Sequence, residues 1–217
     1  MTTIILVRHG QTEWNRDDRF RGHADVPPDN TGVAQAEATA ARIVAQWKPV
    51  AVYAGPLSRT IRTGEAVAQS LDLRVEVEQG LLDVNCGEWQ GLNLDEVRRR
   101  WRAEFNAYLH APAKFRFPGG ESLEHARDRA WKSTQRLAGR HSDETIVLVS
   151  HTALNRLILL SLLGLDSRGF WRLRQDTCGI SVFELGQARA TLLILNDTSH
   201  LLPLFTGRKA ETKSSTV

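Results

Sequence analysis

The stretch IILVRHGQTEWN, Ile4 to Asn15, decides the fold because an apolar run passes directly into an arginine, a histidine and a glycine. A short apolar run that ends in this way predicts a strand buried on both faces. The run IVLVS, Ile146 to Ser150, predicts a second buried strand and leads into His151 and Thr152. In an open α/β sheet, ligands bind outside the carboxyl ends of the strands. His9 and His151 therefore share one crevice if the two strands are neighbours.

Short β-rich runs alternate with longer segments of helical period along the chain. The runs that predict strands are TIILV, AVYA, RVEVE, TIVLVS, ISVFEL and TLLILN. This alternation predicts an α/β fold, a three-layer sandwich in which a mostly parallel central sheet of about six strands carries helices on both faces. Only the segment GQAR separates the last two runs, and it is too short for a crossover helix. These two strands are expected to form one antiparallel hairpin at the edge of the sheet.

The length and punctuation of the chain predict its domain organisation. A chain of 217 residues is long enough for one well-packed core. We expect a single domain over residues 1–205. Within it, residues 92–121 mix aromatic and basic residues with proline and glycine, and we expect them to form a lid or insertion. Ser122 is a candidate N-cap for the helix that follows. The polar tail 206–217 has no period and is expected to be disordered.

Composition narrows the class of protein. The formal net charge of +3 suits a small anionic ligand. Cys86 and Cys178 are the two cysteines of the chain, and their spacing is not that of a metal site, which agrees with a reducing compartment. No segment approaches the roughly 20 apolar residues of a membrane span, and the N-terminus lacks a signal-peptide core. We expect a cytoplasmic protein that binds neither membranes nor nucleic acid. Whether it forms a homodimer is left open by the sequence.

The predicted crevice collects positive charge. Arg59 begins the helix after AVYA and therefore lies at the same edge of the sheet as Arg8. Guanidinium groups match phosphate oxygens bidentately, so two arginines, two imidazoles and helix N-termini predict a site for a small dianion. Phosphoryl transfer needs mainly positioning and positive charge, and a neutral imidazole can be its nucleophile. A zinc site built from His9, His151 and Asp83 is the weaker alternative because the arginines would repel a cation.

Five segments carry a resemblance to a known family. They are VRHGQTEWN, GPLSRTIRT, LLDVNCGEWQGL, PGGES and VSHTALNR. In this order they resemble the successive signatures of the histidine phosphatase superfamily, branch 1, which is phosphoglycerate mutase-like. The resemblance extends from Ile4 to His200, nearly the whole chain.

The resemblance implies a role for each matching residue. His9 is implied to be the nucleophile that becomes transiently phosphorylated. The implied general acid is Asp83, which protonates the leaving alcohol and then activates water. The family more often has glutamate at that position, and Glu88 is the rival candidate. The implied catalytic set also includes Arg8, Arg59 and His151. The implied phosphate-binding residues are Arg8, Asn15, Gly22, Arg59, His151 and Thr152.

We make a separate prediction for each of three further residues, Gly10, His23 and His200. Gly10 is expected to let the backbone turn close to the phosphate. His23 and His200 lie in loops that could reach the crevice, and we assign neither a catalytic role.

The resemblance also implies a reaction. It favours a metal-independent phosphatase without a cofactor, because the chain is short after Trp89 and ends soon after its last strand, as in phosphatase members of the family. A phosphoglycerate mutase and an inactive phosphate-binding protein are the alternatives. The implied partner is a small phosphorylated metabolite: phosphoserine, a phospho-sugar, a sugar-acid phosphate such as glucosyl-3-phosphoglycerate, or α-ribazole phosphate. The lid aromatics that could contact it are Trp101, Phe105, Tyr108, Phe115 and Phe117.

Overall fold

A single six-stranded sheet organises the protein. The computed structural model describes residues 1–205, so the tail predicted over 206–217 lies outside the described residues. The strands are β1 (Thr2–Arg8), β2 (Ala51–Ala54), β3 (Val75–Val77), β4 (Thr145–Ser150), β5 (Ile180–Leu185) and β6 (Ala190–Asp197). Their order across the sheet is β3-β2-β4-β1-β5-β6. All six coincide with runs that the sequence predicts to be strands.

The sheet is parallel except at one edge. β1 pairs with β4 in parallel, and β2 pairs in parallel with both β3 and β4. β5 runs antiparallel to β1, and β6 returns antiparallel to β5. The predicted edge hairpin is therefore confirmed, and β1 lies between a parallel and an antiparallel neighbour.

Helices cover both faces of the sheet. The helices are α1 (Glu13–Arg16), α2 (Asn30–Gln46), α3 (Ser58–Gln69), α4 (Leu94–Arg100), α5 (Arg102–His110), α6 (Leu123–Arg140), α7 (Thr152–Leu162) and α8 (Leu202–Phe205). Alternate side chains of β1 point to opposite faces, as strand geometry requires. Ile5 packs in one cluster with Ile43 of α2 and Val67 of α3. The other cluster holds Ile4 together with side chains of α6 and α7. The three-layer α/β sandwich is confirmed.

The long connection between β3 and β4 holds the segment predicted as a lid. Residues 92–121 contain α4, α5 and a short 3-10 turn. Phe115 and Phe117 are buried against Trp89, with ring centroids 5.3 and 5.2 Å away. Ser122 accepts a hydrogen bond from the backbone N–H of His125 and so caps α6, as predicted. The role of this segment as a lid stays a prediction.

Gly10 is required for packing between backbones. A Cβ at Gly10 would lie 2.4 Å from the carbonyl oxygen of Gly32 in α2, a distance that real Cβ atoms do not show. The structure shows at this glycine a close approach of α2 to the end of β1. The turn of the backbone close to a phosphate stays a prediction.

Membrane insertion finds no support in the helices. Within residues 1–205, no helix combines the length and the apolar composition that a span requires.

Candidate active site

His9 presents a buried nitrogen lone pair. It follows β1 directly and is completely buried. Its Nδ1 lies 2.7 Å from the carbonyl oxygen of Gly10. Because a carbonyl can only accept, Nδ1 carries the hydrogen and the lone pair of the neutral ring is on Nε2. Nε2 is buried and has no hydrogen-bond partner in the described part of the chain.

His151 lies beside His9 because their strands are neighbours. In the β1–β4 pairing Arg8 stands opposite Ser150, and the next residue on each strand is a histidine. The backbone N–H of His9 donates to the carbonyl of Ser150 at 2.9 Å. The two imidazole centroids are 5.3 Å apart, with an angle of 58° between the ring planes. The structure thus brings together the two histidines that the sequence places at strand ends.

Arg59 holds the site together from the first turn of α3. Its fully buried guanidinium donates from Nη1 to the carbonyl of Ala24 at 2.6 Å and from Nη2 to the carbonyl of Gly22 at 2.8 Å. Nη2 also donates to Asp83 Oδ2 at 3.2 Å. Nε donates to His151 Nδ1 at 3.3 Å. Because Nδ1 accepts this bond, the hydrogen of the neutral His151 ring is on Nε2.

Both imidazoles are held in the neutral form. Burial is the main cause that lowers the pKa of His9 and of His151 well below 6.5, and the positive charge of Arg59 is the next. At neutral pH the pair therefore offers two different groups. His9 has a lone pair on Nε2, and His151 has an N–H on Nε2.

Asp83 is an acidic side chain that lies beside Arg59 and His151. It is 7% exposed, and its Oδ2 lies 3.5 Å from His151 Nδ1. The other oxygen, Oδ1, accepts from the backbone N–H of Val84 at 2.9 Å. Both carboxylate oxygens are thus positioned, although the side chain is one methylene shorter than glutamate.

Glu88 lies away from the site. Its side chain is exposed and is not part of the cavity wall, whereas Asp83 is. Its backbone N–H donates to the carbonyl of Pro118 at 2.9 Å, which ties this residue to the start of the PGGES loop. Of the two candidate acids, the structure places only Asp83 near the histidines.

A cavity of about 520 Å³ opens beside these buried groups. Its wall next to the histidines contains Arg8, Asn15, Gly22, Asp83 and Thr152. His9, Arg59 and His151 are fully buried directly behind this wall. Every predicted phosphate-binding residue therefore lines the cavity or lies immediately behind its lining.

The polar groups of the wall are oriented by their neighbours. Arg8 Nη1 donates to the carbonyl of Gln175 at 2.8 Å. Asn15 Oδ1 accepts from the backbone N–H and the hydroxyl of Thr12, both at 2.9 Å, so its amide N–H₂ is the end left for a ligand. Thr152 begins α7, and its buried hydroxyl has no hydrogen-bond partner among the described residues. These are donors suited to an anion.

Arg21 is a site residue that the sequence analysis missed. It lines the cavity. The pKa of Arg8 is lowered to about 9, mainly by burial and next by the positive charge of Arg21. Arg8 therefore remains protonated at neutral pH. The neighbouring Gly22 has a φ of +48°, and a Cβ there would lie 3.0 Å from the backbone nitrogen of Cys86. The segment RFRGH contained a signal for this role, because Arg21 directly precedes Gly22, which the sequence analysis assigns to phosphate binding.

The remaining histidines lie outside the cavity wall. His23 is exposed and donates from Nε2 to the carbonyl of Asp83 at 2.9 Å. His200 hydrogen-bonds Thr39 of α2 at 3.0 Å and does not reach the crevice. Over residues 1–205, no group of three histidine, cysteine or acidic side chains is arranged to hold a metal ion.

The outer part of the cavity is aromatic and basic. Of the lid aromatics, Tyr108 and Phe117 line it, whereas Trp101, Phe105 and Phe115 pack into the neighbouring apolar cluster. Arg156, Phe170 and Trp171 also line it, and Trp171 packs against Tyr108 with ring centroids 4.9 Å apart. The sequence analysis singled out none of these last three. Arg156 ends the segment VSHTALNR but has no implied role there, and Phe170 and Trp171 lie in the turn after α7, outside the five segments.

Comparisons with known proteins agree with this geometry. The sequence profile of the histidine phosphatase superfamily (branch 1) matches residues 4–198. Phosphoserine phosphatase 1 of Hydrogenobacter thermophilus is 33% identical over 201 residues, which are 93% of this chain and 95% of that protein. A metal-independent phosphoserine phosphatase of Arabidopsis thaliana is 29% identical over 203 residues, 93% of this chain and 84% of that protein.

A solved structure shares the whole fold. A mutant phosphoserine phosphatase from Entamoeba histolytica, in complex with phosphoserine, superposes with a TM-score of 0.83 at 25% identity, over 93% of this chain and 100% of that one. The chain therefore belongs to the histidine phosphatase superfamily, branch 1, and is an enzyme of its phosphatase class.

Proposed function

We propose that this protein hydrolyses a small phosphomonoester, with phosphoserine as the first candidate, through a phosphohistidine on His9. One observation carries the proposal. The imidazole of His9, whose Nε2 has no hydrogen-bond partner, lies 5.3 Å from that of His151, centroid to centroid, with Arg8 and Asp83 in the adjoining cavity wall. Such a reaction needs four groups: a nucleophile, a hydrogen-bond donor to the phosphoryl oxygens, a cation and an acid.

In the first step the phosphoryl group moves to the protein. The dianion binds Arg8, the amide of Asn15 and the Nε2–H of His151. The lone pair of His9 Nε2 forms a bond to phosphorus while the phosphorus–oxygen ester bond breaks. Asp83 gives its proton to the departing oxygen, so the alcohol leaves neutral.

In the second step water removes the phosphoryl group. Asp83, now a carboxylate, takes a proton from water as its oxygen bonds to phosphorus and the phosphorus–nitrogen bond breaks. Inorganic phosphate leaves, and His9 regains its lone pair. The pKa of His9, lowered by burial, favours this cycle because an imidazolium could not attack.

The choice of phosphoserine comes from the relatives. The Hydrogenobacter and Arabidopsis proteins are both named as phosphoserine phosphatases, and each covers nine-tenths of this chain. A mutase would have to protect its phosphohistidine from water until the product reorients. Here the cavity that adjoins the histidines is open and lined by Asp83, which supports hydrolysis.

Trapping the intermediate tests the proposal. Rapid quenching with radiolabelled phosphoserine should give an acid-labile, alkali-stable phosphoprotein in the wild type and none in His9→Asn. His125→Ala is the matched control, since that histidine is 68% exposed on α6. Label or turnover that persists in His9→Asn would refute the mechanism. Phosphoglycerate mutase turnover above the rate of hydrolysis would replace the phosphatase with a mutase.

A further inference from the structure

We infer that Arg156 and Gln175 form a subsite for the leaving group, in which Arg156 binds a carboxylate and Gln175 accepts a hydrogen bond from an amino or hydroxyl group. The inference rests on the proposed hydrolysis at His9 and concerns which alcohol leaves. It predicts a phosphorylated amino or hydroxy acid rather than a neutral sugar phosphate.

Arg156 lies one helical turn beyond the phosphate end of the cavity. It is four residues after Thr152 on α7, and both side chains line the same cavity. Residues at this spacing share a helix face, with about 5–6 Å between their Cβ atoms. A carboxylate a few bonds from the phosphoester oxygen would therefore meet Arg156 while the phosphoryl group stays beside Thr152 and His151.

The guanidinium of Arg156 is held in one orientation. Its Nε donates to the carbonyl of Leu173 at 2.7 Å. Its Cζ lies 5.2 Å from the ring centre of Phe170 and 5.0 Å from that of Trp171. These contacts use Nε and the faces of the guanidinium, so its two Nη groups remain for an in-plane, bidentate contact with a carboxylate.

Arg156 differs from Arg59 and Arg174 in the groups that hold its guanidinium. Arg59 pairs with Asp83 at 3.2 Å, and Arg174 pairs with Asp176 at 2.8 Å. Arg174 is also 82% exposed, so its charge is largely screened by water. Arg156 is held by rings and a carbonyl, and Asp176 acts on it only at longer range. A bound anion would meet a desolvated cation there.

Gln175 supplies the complementary acceptor. It is 3% exposed and lines the cavity, and its backbone carbonyl accepts from Arg8. Its Nε2 donates to the carbonyl of Arg174 at 2.7 Å, which fixes the orientation of the amide. Oε1 is then buried with no partner in residues 1–205. A buried acceptor without a donor is unfavourable, so an N–H or O–H of the leaving group would satisfy it.

Three substrates separate the parts of this subsite. Phosphoserine carries both groups, phosphoethanolamine lacks the carboxylate, and 3-phosphooxypropanoate lacks the amino group. We expect the wild type to have a kcat/KM for phosphoserine at least about tenfold above that for phosphoethanolamine. Arg156→Met should raise the KM for phosphoserine about 10- to 100-fold more than the KM for phosphoethanolamine, because hydrogen bonds to a charged group contribute about this much to binding.

Two variants control for loss of structure. Arg168→Gln removes an exposed arginine that is paired with Asp166 and lies outside the cavity wall, and it should leave the preference for phosphoserine unchanged. Arg156→Lys keeps the charge but not the planar fork, and it should restore part of the preference. Gln175→Leu should reduce turnover of phosphoserine more than that of 3-phosphooxypropanoate. Should Arg156→Met not fold, Arg156→Lys decides the question, since it must weaken carboxylate substrates selectively.

The result that overturns the subsite differs from the one that overturns the proposed function. If p-nitrophenyl phosphate is hydrolysed through a phosphohistidine but the wild type shows no preference for a carboxylate, the subsite is wrong. An equal loss for all substrates in a folded Arg156 variant also refutes it, because that pattern indicates a structural role. If no phosphoprotein forms with any ester, the proposed hydrolysis itself fails.

Discussion

Arg59 Nε donates a hydrogen bond to His151 Nδ1 across 3.3 Å, and this bond sets which nitrogen of His151 carries its hydrogen. His9 has the reverse arrangement, because the carbonyl of Gly10 holds its hydrogen on Nδ1. The two rings lie 5.3 Å apart, so one carries an electron pair on Nε2 and its neighbour a proton donor on Nε2. Arg59 acts on the reaction through this arrangement as well as through its charge.

Replacement of Arg59 by lysine should therefore be damaging despite the conserved charge. Arg59→Lys removes the donor to His151 Nδ1, and a point charge cannot reproduce the planar fork. We expect kcat/KM to fall by about 10²- to 10³-fold, the effect of losing one preorganised donor group. Steady-state hydrolysis of p-nitrophenyl phosphate measures this. Arg62→Lys is the matched control, since Arg62 is on the same helix and 73% exposed. Near-normal activity of Arg59→Lys would show that the tautomer is set by other means.

Asp83→Asn should have effects that depend on the leaving group. The amide cannot supply a proton, so hydrolysis of phosphoserine should slow by about 10²- to 10⁴-fold. A p-nitrophenolate leaving group needs no proton, but the variant still lacks the base that activates water. With p-nitrophenyl phosphate we therefore expect a burst of product followed by slow turnover, which stopped-flow absorbance would record.

Glu88→Gln tests the rival assignment with the same measurement. Glu88 is exposed and lies outside the cavity wall, so this variant should show wild-type turnover of both substrates and no burst. The assignment of Asp83 as the acid would be wrong if Glu88→Gln were impaired and Asp83→Asn were not.

The sequence predicts the sheet and the inner site well for a physical reason. Apolar runs such as those of β1 and β4 must be buried on both faces, and the polar residues that follow them must lie at the carboxyl edge. His9, His151 and Arg59 each follow a strand in this way. Their adjacency follows from the strand order, which places β1 beside β4 and β4 beside β2.

The choice between Asp83 and Glu88 could not be made in this way. Both are acidic residues of one irregular loop, and periodicity does not apply there. The backbone at Gly87 has a φ of +50°, and a Cβ there would lie 2.0 Å from the carbonyl oxygen of Pro118. The backbone N–H of Glu88 donates to the same carbonyl, so the position of Glu88 depends on a loop 30 residues away in sequence. Gln175 was missed for a similar reason, since it lies in a connection between α7 and β5.

Gly10→Ala should destabilise the protein through the approach of α2 to β1. The added Cβ would lie 2.4 Å from the carbonyl of Gly32, and backbone cannot move as a flexible side chain can. Overpacking of this kind costs about 1–3 kcal/mol. Urea unfolding measures the loss. Gly139→Ala in α6 is the control, since a Cβ there has nothing within 4 Å and should stabilise the helix by about 0.5–1 kcal/mol. Equal stabilities of Gly10→Ala and the wild type would contradict the packing role of Gly10.

Stability should fall as the pH drops below about 6.5, because burial holds the pKa of His9 and of His151 well below that value. In this range the unfolded chain binds protons that the folded protein does not, so unfolding is favoured. Each histidine contributes a slope of up to about 1.4 kcal/mol per pH unit, and the two together up to about 2.7 kcal/mol per pH unit. His200, whose pKa burial also lowers, acts in the same direction.

Urea unfolding between pH 7 and pH 5 measures this slope, above the range in which most carboxylates titrate. His9→Asn should reduce the slope by up to about 1.4 kcal/mol per pH unit, since one of the two buried imidazoles is gone. His125→Ala, at an exposed position, is the matched control for the substitution of a histidine. A wild-type stability that does not change between pH 7 and pH 5 would mean that both buried imidazoles accept protons in the folded protein. Burial would then not keep His9 neutral below about pH 6.5, contrary to the lowered pKa on which the proposed nucleophile depends.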